Sequence, residues 1–174
     1  TEVVVCASVC RFSFDCFAVV LCSQLEQLRP AGGTLLVPPG VWKCGPMNLT
    51  SHTVLYLESG ATLKADTGAD WPLYGPLSIY GQGHDHPGPR RAPFLGGFGV
   101  QNLTIGGENG TIDGSGFHWY AAGGFGKFEK YTRPSLFECV GCADLDLRDV
   151  TFAHSSFWPV HPVLSRRVTA RRIT

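Results

Sequence analysis

The chain has 174 residues, 14 basic and 14 acidic side chains, and a formal net charge of zero. That length allows one domain with a real core. A charged fraction of only 16% argues against disorder and against a nucleic-acid binder that works through phosphate contacts. Glycine (22) and proline (12) are abundant without a collagen-like period, alongside many Val, Leu, Ile, Thr and Phe, which suits an all-β protein of short strands.

In chain order, Val3 to Cys22 is apolar but interrupted by Arg11 and Asp15. A membrane-spanning helix needs about 20 mostly apolar residues, so no transmembrane segment is expected here. The stretch also lacks the basic start and small-residue cleavage site of a signal peptide. Four of the seven cysteines (Cys6, Cys10, Cys16 and Cys22) fall in it, and an odd total leaves at least one unpaired within the chain. Residues 1–14 are set apart as an atypical segment, and 15–174 are read as part of a single domain.

Phe17 to Leu28 predicts a helix, since Phe17, Leu21, Leu25 and Leu28 share one face. Asp15 stands where a cap belongs, and Pro30 with Gly32 and Gly33 ends the helix. Its expected role is to cover the open end of a larger stack. Short strands follow at Thr34–Val37, Val54–Leu57 and Ala61–Lys64, then a long irregular insert from Asp66 to Pro93. Val100 to Ile105 alternates like a strand and runs into Gly107-Glu-Asn-Gly-Thr-Ile-Asp-Gly-Ser-Gly116. Four glycines in ten residues, with an extended step at Thr111-Ile112, fit tight turns between very short strands. A second insert spans Phe117 to Pro134, and strand signals return at Leu136–Val140, Leu145–Phe152, Val160–Leu164 and Val168–Thr174.

These last segments repeat. Val140, Leu145, Leu147 and Val150 superpose on Val163, Val168, Ala170 and Ile173 at a constant offset of 23. A period in the low twenties suits one coil of a parallel β-helix, and the β-branched content favours that over a leucine-rich repeat.

Gly32-Gly-Thr-Leu-Leu-Val-Pro-Pro-Gly40, Asn48-Leu-Thr-Ser-His52, Leu57-Glu-Ser-Gly-Ala-Thr-Leu63, Trp71-Pro72, Gly107-Glu-Asn-Gly-Thr-Ile-Asp-Gly114 and Phe157-Trp-Pro-Val-His-Pro162 resemble glycoside hydrolase family 28, the polygalacturonases. The closest likeness is to the plant-like and exo-acting branch, and it runs from about Phe17 to Thr174. The resemblance implies an all-β, right-handed parallel β-helix of the pectin lyase-like kind, and the helix read over Phe17 to Leu28 is expected to cap its N-terminal end. It also implies inverting hydrolysis of α-1,4-linked galacturonan, without a cofactor. Inversion needs two carboxyl groups about 6.5–9.5 Å apart. The family supplies them from an Asn-Thr-Asp segment and an Asp-Asp pair, followed by Gly-His-Gly and Arg-Ile-Lys motifs, and none of these four occurs here. The expectation is therefore an N-terminal portion of such an enzyme, with the catalytic aspartates beyond Thr174 and no hydrolysis by this chain alone. The alternatives are a non-catalytic β-helix module that binds acidic polysaccharide, or a truncated product without activity.

No catalytic residue is assigned. Asp144 and Asp146 alternate on one strand face about 7 Å apart, but Leu145 and Leu147 must point inward, so both are read as solvated together with Arg148. The expected substrate contacts are His161 and Trp158, on the strand one coil before the family's Asn-Thr-Asp, and Glu138, which the repeat places beside His161. Arg90 and Arg91 in the first insert are added, because arginine suits bidentate recognition of a uronate carboxylate. Lys127, Lys130 and Arg133 offer similar charges in the second insert. His84-Asp-His86 and Cys139-Val-Gly-Cys142 each lack the second ligand pair that a structural zinc site wants, so no metal is expected. Cys139-x-x-Cys142 opens no helix, which speaks against a redox motif. Asp113 is read as a turn former. Asn48, Asn102 and Asn109 head N-glycosylation sequons and are expected glycan acceptors, compatible with an extracellular or cell-wall protein. The expected partner is a pectin-type polyanion, with no nucleic acid or membrane and a monomeric full-length form.

Overall fold

The computed structural model describes residues 4–6, 31–75, 89–123 and 131–174. They wind as a three-faced parallel β-helix. Face 1 stacks β1 (Val4–Cys6), β2 (Gly33–Val37), β5 (Thr53–Leu57) and the first parts of β10 (Gln101–Asp113), β12 (Ala143–Ala153) and β14 (Arg166–Ile173). Face 2 joins β3 (Gly40–Cys44) and β6 (Ala61–Ala65) to the second half of β10 and, beyond it, to the end of β12. Face 3 stacks β4 (Met47–Asn48), β9 (Leu95–Phe98), β11 (Phe137–Val140) and β13 (Val160–Val163). Every pairing within these faces is parallel.

The strands form because alternate apolar residues stack into one core. On face 1, Leu35, Leu55, Ile105 and Leu147 stand in register and are fully buried. On face 2, Trp42, Leu63 and Ile112 do the same, and on face 3 Met47, Leu95 and Phe137 complete the interior. Each fully buried Leu or Ile stabilises the stack by roughly 1.5–3 kcal/mol.

The corners hold the register. His52, Asn102, Asp144 and Arg167 adopt left-handed backbone at successive rungs of the corner leading into face 1. Gly60, Asn109, Asp149 and Arg172 do so at the corner between faces 1 and 2. Glycine, Asn and Asp tolerate that conformation best. Where the next rung carries arginine instead, an ion pair bridges the column: Arg167 to Asp144, and Arg172 to Asp149.

The offset of 23 is the observed register, with Val140 beside Val163, Leu145 beside Val168 and Val150 beside Ile173. Most of the glycine-rich run, Gly107 to Asp113, lies inside β10, and Gly114 to Gly116 lead from it into a helix. The strand carries the bulge between Gly106 and Gly110 that turns the chain from face 1 to face 2. The inserts are less irregular than their composition suggests. The first contains an antiparallel pair, β7 (Leu73–Tyr74) with β8 (Arg90–Arg91), and the second begins as helix α1 (Gly116–Gly123). The helix expected over Phe17–Leu28 lies outside the described residues, as do His84, His86, Lys127 and Lys130.

A Cβ added at Gly107 would run into the Leu57 backbone, whereas one at Gly99 meets open space. Gly107→Ala is therefore expected to cost about 2 kcal/mol or more, because backbone cannot step aside as a side chain can. Gly99→Ala should cost only about 1 kcal/mol, for its left-handed φ of 63°. Denaturant unfolding of the two variants checks the order.

Candidate functional site

The outward positions of face 3 break the rule that a strand's second face is wet. β9 and β11 read as nearly continuous buried runs, although Gly96 and Glu138 point away from the core. The inserts roof them. β8 bridges to Thr132, tying the first insert to the second, and Pro93 sits so close over Gly96 that an added Cβ would lie 2.7 Å from its Cγ. Asn48, Gly96, Glu138 and His161 form one row in register across four strands, about 14 Å long at the spacing of parallel strands.

Glu138 is the centre of this row, with its side chain only 4% exposed. Arg90 donates both terminal nitrogens to it, Nη2 to Oε1 at 2.6 Å and Nη1 to Oε2 at 3.1 Å. His161 Nδ1 lies 2.9 Å from Oε2 on the next rung. Burial alone pushes the Glu138 carboxyl up, but the hydrogen bonds from His161 and Arg90 and their charges outweigh it and hold the group below its ordinary value. Glu138 is thus a carboxylate that anchors two donors. Trp158, 45% exposed, stacks on the His161 ring with centroids 5.6 Å apart and planes 22° from parallel.

Four of the five residues expected to touch substrate therefore meet at one place. Arg91 is separated from them by strand alternation. Its guanidinium lies over Trp119 at 5.1 Å and Tyr131 at 5.7 Å, inside the wall that carries β8. Arg133 builds the adjoining wall, donating from Nε to the Ser156 carbonyl and lying 4.6 Å over the Tyr120 ring. Sequence reasoning missed Tyr74, whose hydroxyl donates to Asn48 Oδ1 at 3.2 Å and whose ring meets exposed Phe98 edge-to-face. No periodic signal reveals a two-residue strand inside an insert.

The other candidates lie elsewhere. Asp144 and Asp146 are on the outer side of face 1, engaged by Arg167 and by Arg171 and Arg148, as their solvated reading implied. Asn102 and Asn109 are exposed at corners, whereas Asn48 is on face 3. Asp113 accepts the Ser115 backbone N–H at 2.8 Å, as a turn former does. It also pairs with Lys64 at 3.1 Å and His154 at 3.3 Å, beside a hollow of about 400 Å³ on face 2. Burial raises its carboxyl, and the Ser115, Lys64 and His154 contacts bring it back below the ordinary value. Cys139 and Cys142 form a disulfide across the corner from face 3 to face 1, a pairing the sequence left open. Among the described residues no group of three or more His, Cys, Asp or Glu is placed to hold a metal, and no helix is long and apolar enough to cross a membrane.

The depressed pKa of Glu138 fixes a sign. Its pairing stabilises the fold fully above the unfolded value, near 4.5, and the contribution is lost as pH falls through the lower folded value. Glu138→Gln is expected to lower stability at neutral pH by about 3 kcal/mol and to flatten the acid limb of stability against pH. Urea midpoints measured from pH 7 down to pH 3 check both.

No family model matches the chain. It is 40% identical over 154 residues to a protein named "Probable polygalacturonase" from Vitis vinifera, covering 87% of this chain and 31% of that one. Two solved structures share the fold: a hyperthermoactive exopolygalacturonase from Thermotoga maritima (TM-score 0.70, 22% identity) and a family 28 exopolygalacturonase from Yersinia enterocolitica (TM-score 0.73, 17% identity). Each match covers 90% of this chain, and 42% and 35% of the respective structures, so the chain spans less than half the length of these relatives. The chain is thus similar in sequence to about a third of a protein named as a probable polygalacturonase, and it shares the parallel β-helix fold of the two solved exopolygalacturonases.

Proposed function

We propose that this chain supplies the first coils and part of the polysaccharide-contact face of a pectin-degrading hydrolase that cleaves α-1,4-galacturonan with inversion. One observation carries the reading: the roofed row on face 3, where Arg90, Glu138, His161 and Trp158 converge on a chain 40% identical to a polygalacturonase. Glu138 neutralises Arg90 and orients His161, whose ring can then meet a sugar hydroxyl or a uronate oxygen. The half-exposed indole of Trp158 offers an apolar surface to a pyranose face. Arg90 acts through Glu138 as a positioning residue, and Arg91 through the aromatic wall.

The second reading, a non-catalytic acidic-polysaccharide module, is favoured by a specific feature. Among the described residues the face 3 row holds one carboxylate, Glu138, and it is tied up by Arg90. Inverting hydrolysis needs two carboxyl groups facing the bond. In the first reading they come from further coils of a longer protein; in the second they are absent. Both readings place the protein in an extracellular or cell-wall setting, acting as a monomer on a polyanion and not on nucleic acid or membrane. The Cys139–Cys142 disulfide supports an oxidising compartment, as do the sequons at Asn102 and Asn109.

Titration calorimetry with oligogalacturonates tests the shared part. Changing His161 and Trp158 together to Ala is expected to weaken binding about tenfold or more, since a hydrogen bond to a charged group contributes roughly 1.5–3 kcal/mol. Unchanged affinity in a folded double variant would refute the face 3 site. Reducing-sugar release separates the two readings: the catalytic one requires it from the full-length protein, and the module reading requires none.

A further inference from the structure

The far end of the face 3 row is built from three residues to which the substrate-contact reading gave no role in binding. Asn48 is in register with Gly96, and through it with Glu138 and His161. Tyr74 donates its hydroxyl to Asn48 Oδ1, which fixes the amide and leaves Nδ2 as a donor without a partner among the described residues. Phe98, two residues beyond Gly96 and so on the same side of β9, is 51% exposed with its ring 5.5 Å from that of Tyr74. Between this group and the Arg90–Glu138–His161 cluster lies Pro93, seated on Gly96, an apolar step rather than a wall of charge. A fixed amide donor beside two aromatic rings repeats the chemistry at the other end, where an imidazole stands beside Trp158.

We propose that Asn48, Tyr74 and Phe98 form a second sugar-contact position, which takes another pyranose unit of the same acidic polysaccharide. Asn48 then works as a ligand contact rather than a glycan acceptor, although it heads a sequon. The two roles exclude each other, because an N-linked glycan consumes Nδ2 and lays branched sugars over Tyr74 and Phe98. Asn102 and Asn109 face no such conflict, being exposed at the two corners that flank face 1 and outside the face 3 row. The inference rests on the face 3 reading above and extends it by about three strand spacings, or roughly 14 Å, along the helix axis. Its chemistry sets a length dependence. A short oligomer can occupy the His161 end alone, and only a longer one reaches Asn48.

The test uses the full chain secreted from a eukaryotic host, with glycopeptide mass spectrometry and binding of galacturonate oligomers of increasing length. The expected result is an unmodified Asn48. Asn48→Ala and Phe98→Ala should each weaken the longer oligomers by about threefold to tenfold while leaving digalacturonate unchanged. Both side chains are exposed, so these variants should keep the parent's melting temperature. His161→Ala should weaken every length. A glycan at Asn48 in binding-competent protein, or Asn48→Ala and Phe98→Ala without effect at any length while His161→Ala acts at all, would overturn the second position and leave the first standing. No effect from His161→Ala would instead overturn the face 3 reading, and the second position with it.

Discussion

Lateral registry of the coils is the constraint on which everything else depends. A coil contributes useful burial only if its inward residues land on those of its neighbours, and that requires each turn to bend at the same place. Left-handed backbone at matched rungs does this: His52, Asn102, Asp144 and Arg167 at one corner, and Gly60, Asn109, Asp149 and Arg172 at another. The cost of that conformation rises as the column passes from Gly and Asn to Arg. The Asp144–Arg167 and Asp149–Arg172 pairs stand at the rungs where it is greatest. Core ladders such as Leu35–Leu55–Ile105–Leu147 follow from this registry rather than create it.

Registry also turns a linear sequence into a surface. Asn48 and His161 are far apart along the chain, yet they belong to one row because the strands between them are in step. Coils that leave the stack between faces 2 and 3 return over that row, so face 3 is roofed. Roofing makes electrostatics matter there. Glu138 is buried, Arg90 and His161 outweigh the desolvation of its charge, and it converts two flexible donors into a fixed pair. The charges on face 1 are more numerous but exposed, and screening leaves such pairs little energetic weight.

The fold was legible wherever period and turn chemistry coincided. The offset of 23 in the last two coils predicted the strand register residue by residue, because no insertion separates those rungs. The placement of Glu138 beside His161 came from the same arithmetic. The earlier coils hid their period, since one excursion separates β6 from β9 and another separates β10 from β11. The short strands β4 and β9 escaped notice for a physical reason. They number two and four residues, and the roof buries Gly96, so no alternation marks them. Arg90 and Arg91 looked equivalent in sequence, and only the strand geometry of β8 sends one to Glu138 and the other to Trp119. The Cys139–Cys142 bond was within reach of spacing alone, but its corner position depends on where face 3 ends.

Two surfaces compete as the seat of the proposed affinity for an acidic polysaccharide. Face 3 offers a roofed row with one neutralised cation, and face 1 offers Arg166, Arg167, Arg171 and Arg172 in the open. Simple charge attraction favours face 1, while fixed donors and aromatic surfaces favour face 3. The most direct test is a crystal structure of the full chain with a bound trigalacturonate. The account predicts sugar density along face 3, with a uronate or hydroxyl oxygen within hydrogen-bond reach of His161 and a ring against Trp158. Density confined to the arginines of face 1 would contradict it.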